Sequence, residues 1–211
     1  MQKPFDGAAA LALSPVIPIV TIEDASTAPA LARALLSGGI TTFEITLRTP
    51  AALDAIRAVA QSTPEIVIGA GTVLTSDDLD AAARAGARYA LSPGATPDLL
   101  EAARKVPIPF IPGVATASEI MAALERGYRA MKFFPAEQLG GAAALKALGA
   151  PLPQVQFCAT GGITLGSAPS YLALRNVPCV GGSWVTPSDL IARGDWTGIE
   201  ARARQAAQLR R

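Results

Sequence analysis

Short apolar runs alternate along this chain with alanine-rich stretches whose apolar residues recur every three or four positions, and no linker separates them. The short runs predict strands at 16–20, 42–47, 66–70, 89–92, 110–112, 130–134, 155–159 and 179–181. The stretches between them predict helices at 28–37, 51–61, 76–85, 97–105, 117–126, 141–148 and 167–174, and a last helix after Trp196. Thr27, Thr75, Thr96 and Thr116 stand where N-caps belong. Gly38-Gly39, Gly86 and Gly127 follow helix ends, as left-handed C-caps do. Eight strands alternating with eight helices is the count of a compact (β/α)8 TIM barrel, read here as a single α/β domain over residues 1–211. A doubly wound open sheet shares this alternation and is the runner-up, because periodicity does not prove closure.

The pattern is broken by polar residues on strand faces. In Arg129-Ala130-Met131-Lys132-Phe133-Phe134-Pro135-Ala136-Glu137, alternation puts Ala130, Lys132 and Phe134 on one face and Met131 and Phe133 on the other. A lysine on an inward strand face is costly. A desolvated amine is also favoured in its neutral form, the nucleophile that forms Schiff bases with ketones. The competing reading is a lysine that snorkels to the surface or pairs with an acid. The second strand carries Thr42, Glu44, Thr46 and Arg48 on one face and Phe43, Ile45 and Leu47 on the other. The apolar face suits the helical shell, so the polar face points into the barrel, where a carboxylate needs a partner. Glu44 is therefore either half of a buried ion pair that only organises the core, or a general acid/base beside a lysine. Arg48 has the planar fork that grips a carboxylate.

Composition narrows the chemistry. Half of the 211 residues are hydrophobic, 17% are charged and the net charge is +1. These values fit a well-buried core. With no basic run longer than Arg210-Arg211, they give no footprint for nucleic acid or a membrane surface. No segment approaches the roughly 20 apolar residues of a membrane span. Residues 8–13 faintly resemble a signal segment, but they end at Ser14-Pro15 and run into a strand, so they are read as a short N-terminal helix. Cys158 and Cys179 lie in apolar strands and read as buried thiols of a cytoplasmic protein. The chain has no histidine. That excludes a Ser-His-Asp triad, a Cys-His pair and a His-ligated metal, and leaves acid/base work to carboxylates, lysine, tyrosine or water.

Small residues gather at the strand ends, where a barrel holds its site. The third strand ends Gly69-Ala70-Gly71-Thr72, the fourth Ser92-Pro93-Gly94, and the fifth Ile111-Pro112-Gly113. Each alone reads as turn chemistry. The seventh strand runs into Thr160-Gly161-Gly162-Ile163 and the eighth into Gly181-Gly182-Ser183-Trp184. Paired glycines after the last two strands form a phosphate-cup pattern, with backbone N–H groups approaching an anion and a following helix N-terminus adding a positive field.

Five stretches together carry a resemblance: Phe43-Glu44-Ile45-Thr46-Leu47-Arg48-Thr49, Gly69-Ala70-Gly71-Thr72-Val73-Leu74, Lys132-Phe133-Phe134-Pro135-Ala136-Glu137, Thr160-Gly161-Gly162-Ile163 and Gly181-Gly182-Ser183-Trp184. From about Pro15 to Trp184 the chain resembles the 2-keto-3-deoxy-6-phosphogluconate (KDPG) and 4-hydroxy-2-oxoglutarate (KHG) aldolase family. The resemblance implies a cytoplasmic, homotrimeric class I aldolase with a (β/α)8 fold, acting in the Entner–Doudoroff route and needing no metal or other cofactor. Lys132 would be the Schiff-base lysine and Glu44 the general acid/base. Arg48 and Thr72 would hold the pyruvyl carboxylate. Pro93, Phe134 and Thr160 would line the reacting centre, and Gly161, Gly162, Gly182 and Ser183 would take the phosphate. One departure is visible: Ala159 stands where the family commonly has proline, which predicts a slightly looser turn before the cup.

Two rivals share parts of this pattern. A barrel epimerase or decarboxylase acting on a sugar phosphate would keep the cup but not need Lys132. A non-catalytic sugar-phosphate binder would keep both without turnover. Preference among KDPG, its galactonate epimer and KHG depends on loop geometry.

Overall fold

The computed structural model describes residues 5–209. The ends of the 1–211 domain expected above, including Arg210-Arg211, lie outside the described residues. All strands are parallel: β1 Val16–Val20, β2 Thr42–Thr46, β3 Val67–Gly71, β4 Tyr89–Leu91, β5 in two segments Phe110–Ile111 and Gly113–Val114, β6 Ala130–Phe133, β7 Gln156–Thr160 and β8 Cys179–Gly182. β1 pairs with β2 on one side and β8 on the other. Pairing then runs both ways round the sheet until each arm ends on β5. The first segment of β5 pairs with β4 and the second with β6. The ring is therefore closed through one strand, which rules out the open doubly wound sheet. The break comes at Pro112, which has no N–H to donate, while its carbonyl still accepts from Lys132 at 2.9 Å.

The helices follow the predicted alternation: α1 Gly7–Leu11, α2 Ala28–Ser37, α3 Ala52–Ser62, α4 Ser76–Ala85, α5 Pro97–Ala103, α6 Ala117–Glu125, α7 Gly141–Gly149, α8 Ala168–Leu172, α9 Ser188–Arg193 and α10 Trp196–Ala207. Thr75, Thr96 and Thr116 cap α4, α5 and α6 with their side chains, and α4 and α6 have complete capping boxes. Thr27 does not cap α2. A 3-10 turn, Ala25–Thr27, precedes that helix, and Asp24 caps the turn instead. No helix among the described residues is long and apolar enough to cross a membrane.

Two apolar clusters hold the barrel. The larger lies between sheet and helices and contains the outward strand residues Phe43, Ile45, Met131, Phe133 and Phe157. The smaller fills the N-terminal half of the barrel interior with Ile17, Tyr89, Leu91, Ile111, Ala130, Cys158 and Cys179, and takes Ala10 and Leu11 from α1. The alanine-rich N-terminal stretch is thus a helix that plugs one end of the barrel. Both cysteines are reduced and buried. A hydrogen bond with Cys179 holds the Cys158 thiol below the ordinary thiol range, against the opposing pull of burial.

Candidate active site

Above the apolar plug the barrel interior turns polar. β2 sends Thr42, Glu44 and Thr46 inward, all buried, and β6 sends Lys132 inward at 5% exposure. Lys132 Nζ donates to Glu44 Oε1 at 3.5 Å, and both side chains are almost wholly removed from water. The two residues are 88 positions apart, so barrel closure creates the pair. Two features hold it in place. Below it, Thr42 and Tyr89 share a hydroxyl hydrogen bond at 2.7 Å, and burial pushes the Tyr89 hydroxyl well above the ordinary phenol range, so it stays protonated. Beside it, Gly71 is open where a side chain would collide: a Cβ there would lie 2.5 Å from Glu44 Oε1. The Phe134 ring lies 5.3 Å from Lys132 Nζ and forms one wall.

The remaining residues singled out from the sequence surround this pair at the C-terminal mouth. Arg48 lies two residues past the end of β2, exposed in the loop rather than on the inward face that alternation assigned to it. Its Nε donates to Thr72 Oγ1 at 3.2 Å. Thr72 follows Gly71 directly and has φ +60°, a left-handed conformation that a β-branched residue rarely takes. Such strain costs on the order of 1–3 kcal/mol and concentrates where a side chain must be aimed. Pro93 lies two residues past the end of β4, with its carbonyl carbon 2.3 Å from the place a Cβ on Gly113 would take, and Gly113 is the register partner of Lys132. Gly113 also donates its N–H to buried Ser92 Oγ at 3.1 Å.

Thr160 ends β7, buried, opposite Gly181 of β8. The two glycine-rich turns that follow therefore leave from adjacent strands. Gly161 and Gly162 both have positive φ, +108° and +76°, which a side chain at either site would strain. Gly182 is extended and buried, and Ser183 is exposed beside a pocket of about 350 Å³ bounded by Ile19, Thr21, Thr186 and Asp189. The helix that follows each turn is short: α8 has five residues and starts at Ala168, and a three-residue 3-10 turn starts at Ser183. The positive helix field expected from the sequence therefore has little helix behind it at either turn. Ala159 lies inside β7, fully buried and in register with Phe133 and Val180, so the departure expected to loosen the turn falls within the strand instead. Two larger cavities, of about 600 and 710 Å³, include none of these residues.

Sequence reading missed Tyr89 and Ser92, which support the pair and the fifth strand from below. Tyr89 is the first residue of its strand and points inward, but nothing local ties it to Thr42, 47 residues away.

The family model described as KDPG and KHG aldolase matches residues 8–202. The chain is 49% identical over 192 residues to a 2-dehydro-3-deoxy-phosphogluconate aldolase of Pseudoalteromonas atlantica, covering 91% of this chain and 89% of that one. Its fold is similar to the KDPG aldolase of Legionella pneumophila solved with pyruvate captured as a covalent carbinolamine, with TM-score 0.94, 45% identity and coverage of 96% and 98%. It is also similar to the KDPG aldolase of Zymomonas mobilis solved with 3-phosphoglycerate, with TM-score 0.92, 44% identity and coverage of 99% and 98%.

Proposed function

The chain belongs to the KDPG and KHG aldolase family, and from that premise we propose that it cleaves KDPG to pyruvate and D-glyceraldehyde 3-phosphate through an imine on Lys132. The observation that carries this reading is the buried Lys132–Glu44 pair at the mouth of the barrel. A lysine held at 5% exposure against a single carboxylate can pass its proton to that carboxylate and attack a ketone carbon as the free amine. Glu44 returns that proton to the carbinolamine hydroxyl, which leaves as water, and the protonated imine that remains can take up the electrons of the bond between carbons 3 and 4. Glu44, directly or through one water, takes the proton of the carbon-4 hydroxyl as that bond breaks. The aldehyde leaves, Glu44 or its water gives the proton it took to carbon 3 of the enamine, and hydrolysis returns pyruvate and the lysine.

Arg48 and Thr72 are proposed to hold the carboxylate beside the ketone. Their mutual hydrogen bond presents a guanidinium and a hydroxyl together, one step above Glu44. Pro93, Phe134 and Thr160 wall the reacting centre. Gly161, Gly162, Gly182 and Ser183 take the phosphate, and the substrate is a small phosphorylated 2-keto acid. KHG carries the same carboxylate and ketone, so the Arg48–Thr72 clamp and Lys132 suit it too, without the phosphate arm. The same reading makes the whole chain one folding domain in a cytoplasmic homotrimer, for which light scattering would give three times the chain mass.

The test is pyruvate release from KDPG by wild type beside Lys132→Met. Release that vanishes in the folded variant supports the proposal. No release from folded wild type would redirect the reading to a non-catalytic binder, and release without borohydride trapping would redirect it to a different barrel mechanism.

A further inference from the structure

Glu137 and Tyr171 lie outside the reacting centre, yet they are joined to the glycine turn after β7. The turn spanning 135–141 stacks on that glycine turn through two backbone bonds, Ala136 N–H to Thr160 O at 2.7 Å and Glu137 N–H to Gly161 O at 3.0 Å. The stem of Glu137 lies directly against Gly162: a Cβ there would be 2.9 Å from both Cβ and Cγ of Glu137. Its carboxylate is turned elsewhere. Glu137 Oε1 accepts a hydrogen bond of 2.9 Å from the hydroxyl of Tyr171, a residue of α8 that is 1% exposed. Glu137 Oε2 lies 3.8 Å from the place a Cβ on Gly141 would take, at the first residue of α7. That helix has no side-chain cap at Gly140, so the carboxylate sits at an uncapped, positive helix end. Burial first, and then the bond to Glu137 and its charge, push the Tyr171 hydroxyl above the ordinary phenol range, so it remains a donor.

A carboxylate one residue from a phosphate cup is a hazard. Swung toward Gly162, it would set a negative charge against the bound anion. We propose that Tyr171 is a positioning residue for phosphate selectivity: its hydroxyl holds the Glu137 carboxylate away from the cup, toward α7, while the Glu137 stem supports Gly162. This rests on the reading of Gly161 and Gly162 as the phosphate cup. It makes Tyr171 matter for a substrate that ends in a phosphate and not for KHG, whose chain stops short of the cup.

The experiment compares wild type, Tyr171→Phe, Glu137→Gln and the double variant on KDPG and on KHG, with binding of inorganic phosphate measured by calorimetry. Tyr171→Phe is expected to raise KM for KDPG roughly threefold to tenfold, the scale of one lost hydrogen bond. Its kcat should stay unchanged, its KHG kinetics should not move, and its phosphate affinity should weaken in step. Glu137→Gln keeps an acceptor for Tyr171 without the charge, and its KM for KDPG is expected to be equal to wild type or lower. The double variant should recover most of the KM lost in Tyr171→Phe. Equal KM shifts on both substrates, or a double variant as poor as Tyr171→Phe, would overturn the proposal in favour of simple loosening. So would a raised KM in Glu137→Gln. Phosphate binding needs no turnover, so unchanged phosphate affinity in Tyr171→Phe would overturn it even if wild type cleaved neither substrate, a result that would separately sink the aldolase reading.

Discussion

The two halves of the barrel interior are built from the same strands, yet one is mainly apolar and the other holds a buried ion pair. In the N-terminal half the inward residues are Tyr89, Ala130, Cys158 and Cys179, sealed by Leu11 of α1. Two residues further along their strands, Ala130 gives way to Lys132, Cys158 to Thr160 and Cys179 to Gly181, and the same layer holds Glu44 from β2. One step of two residues keeps the face and changes the function. The lower half supplies stability by burying apolar groups. The upper half spends some of it, holding an ion pair at 3.5 Å almost out of water and a threonine at φ +60°.

Changes in the two halves should therefore separate activity from stability. The largest effect belongs to Lys132→Met, which is expected to abolish both turnover and borohydride trapping of pyruvate. It also leaves Glu44 buried without its partner, at a cost of about 3–5 kcal/mol in denaturant melts. Adding Glu44→Gln should restore most of that stability but none of the activity. A double variant no more stable than Lys132→Met would show that the pair is not coupled. Glu44→Gln alone should lower kcat by roughly 10²–10⁴ with a smaller change in KM. An unchanged kcat would remove Glu44 from proton transfer.

Gly71→Ala places a methyl only 2.5 Å from the present position of Glu44 Oε1. Displacing the base by about 1 Å should cost on the order of 10²-fold in kcat, while both reacting side chains remain. Full activity would mean that Glu44 has slack. In the lower half, Leu11→Ala should cost about 2–5 kcal/mol of stability and leave kcat and KM unaltered at temperatures where the protein stays folded. A parallel loss of kcat would break the division between the halves.

The smallest effect lies on the rim. Asp24 is held below the usual carboxylate range by the backbone N–H and then the hydroxyl of Ser26. Its contribution is present above the ordinary carboxylate pKa and is lost as pH falls through its depressed value. The difference in Tm between wild type and Asp24→Ala should therefore shrink on acidification. A difference that is constant with pH would show that the cap acts through shape and not charge.

Alternation alone made much of the upper half legible. A charge among apolar neighbours at Lys132, and a polar face at Thr42, Glu44 and Thr46, can point only inward if the other face meets helices. Of the paired glycines after the seventh and eighth strands, the first pair has a local reason to be glycine, since Gly161 and Gly162 both have positive φ, whereas Gly182 is extended. Arg48 shows the limit. Alternation put it on the inward face, but β2 ends at Thr46 and the loop carries Arg48 to Thr72. The break at Pro112 was also hidden, because a proline at the end of a run reads as a turn until both neighbouring strands are known. Pairs such as Thr42 with Tyr89, or Glu137 with Tyr171, 34 residues apart, depend on which strands become neighbours and in what register. Periodicity specifies a face, never the residue opposite it.

Lys132 as the proposed nucleophile is best tested by peptide mapping after borohydride reduction in the presence of pyruvate. The chain has three other lysines to serve as internal controls, Lys3, Lys105 and Lys146. One reduced pyruvyl adduct per chain is expected, on the peptide that carries Lys132. An adduct on another lysine, or none from folded and active protein, would contradict it.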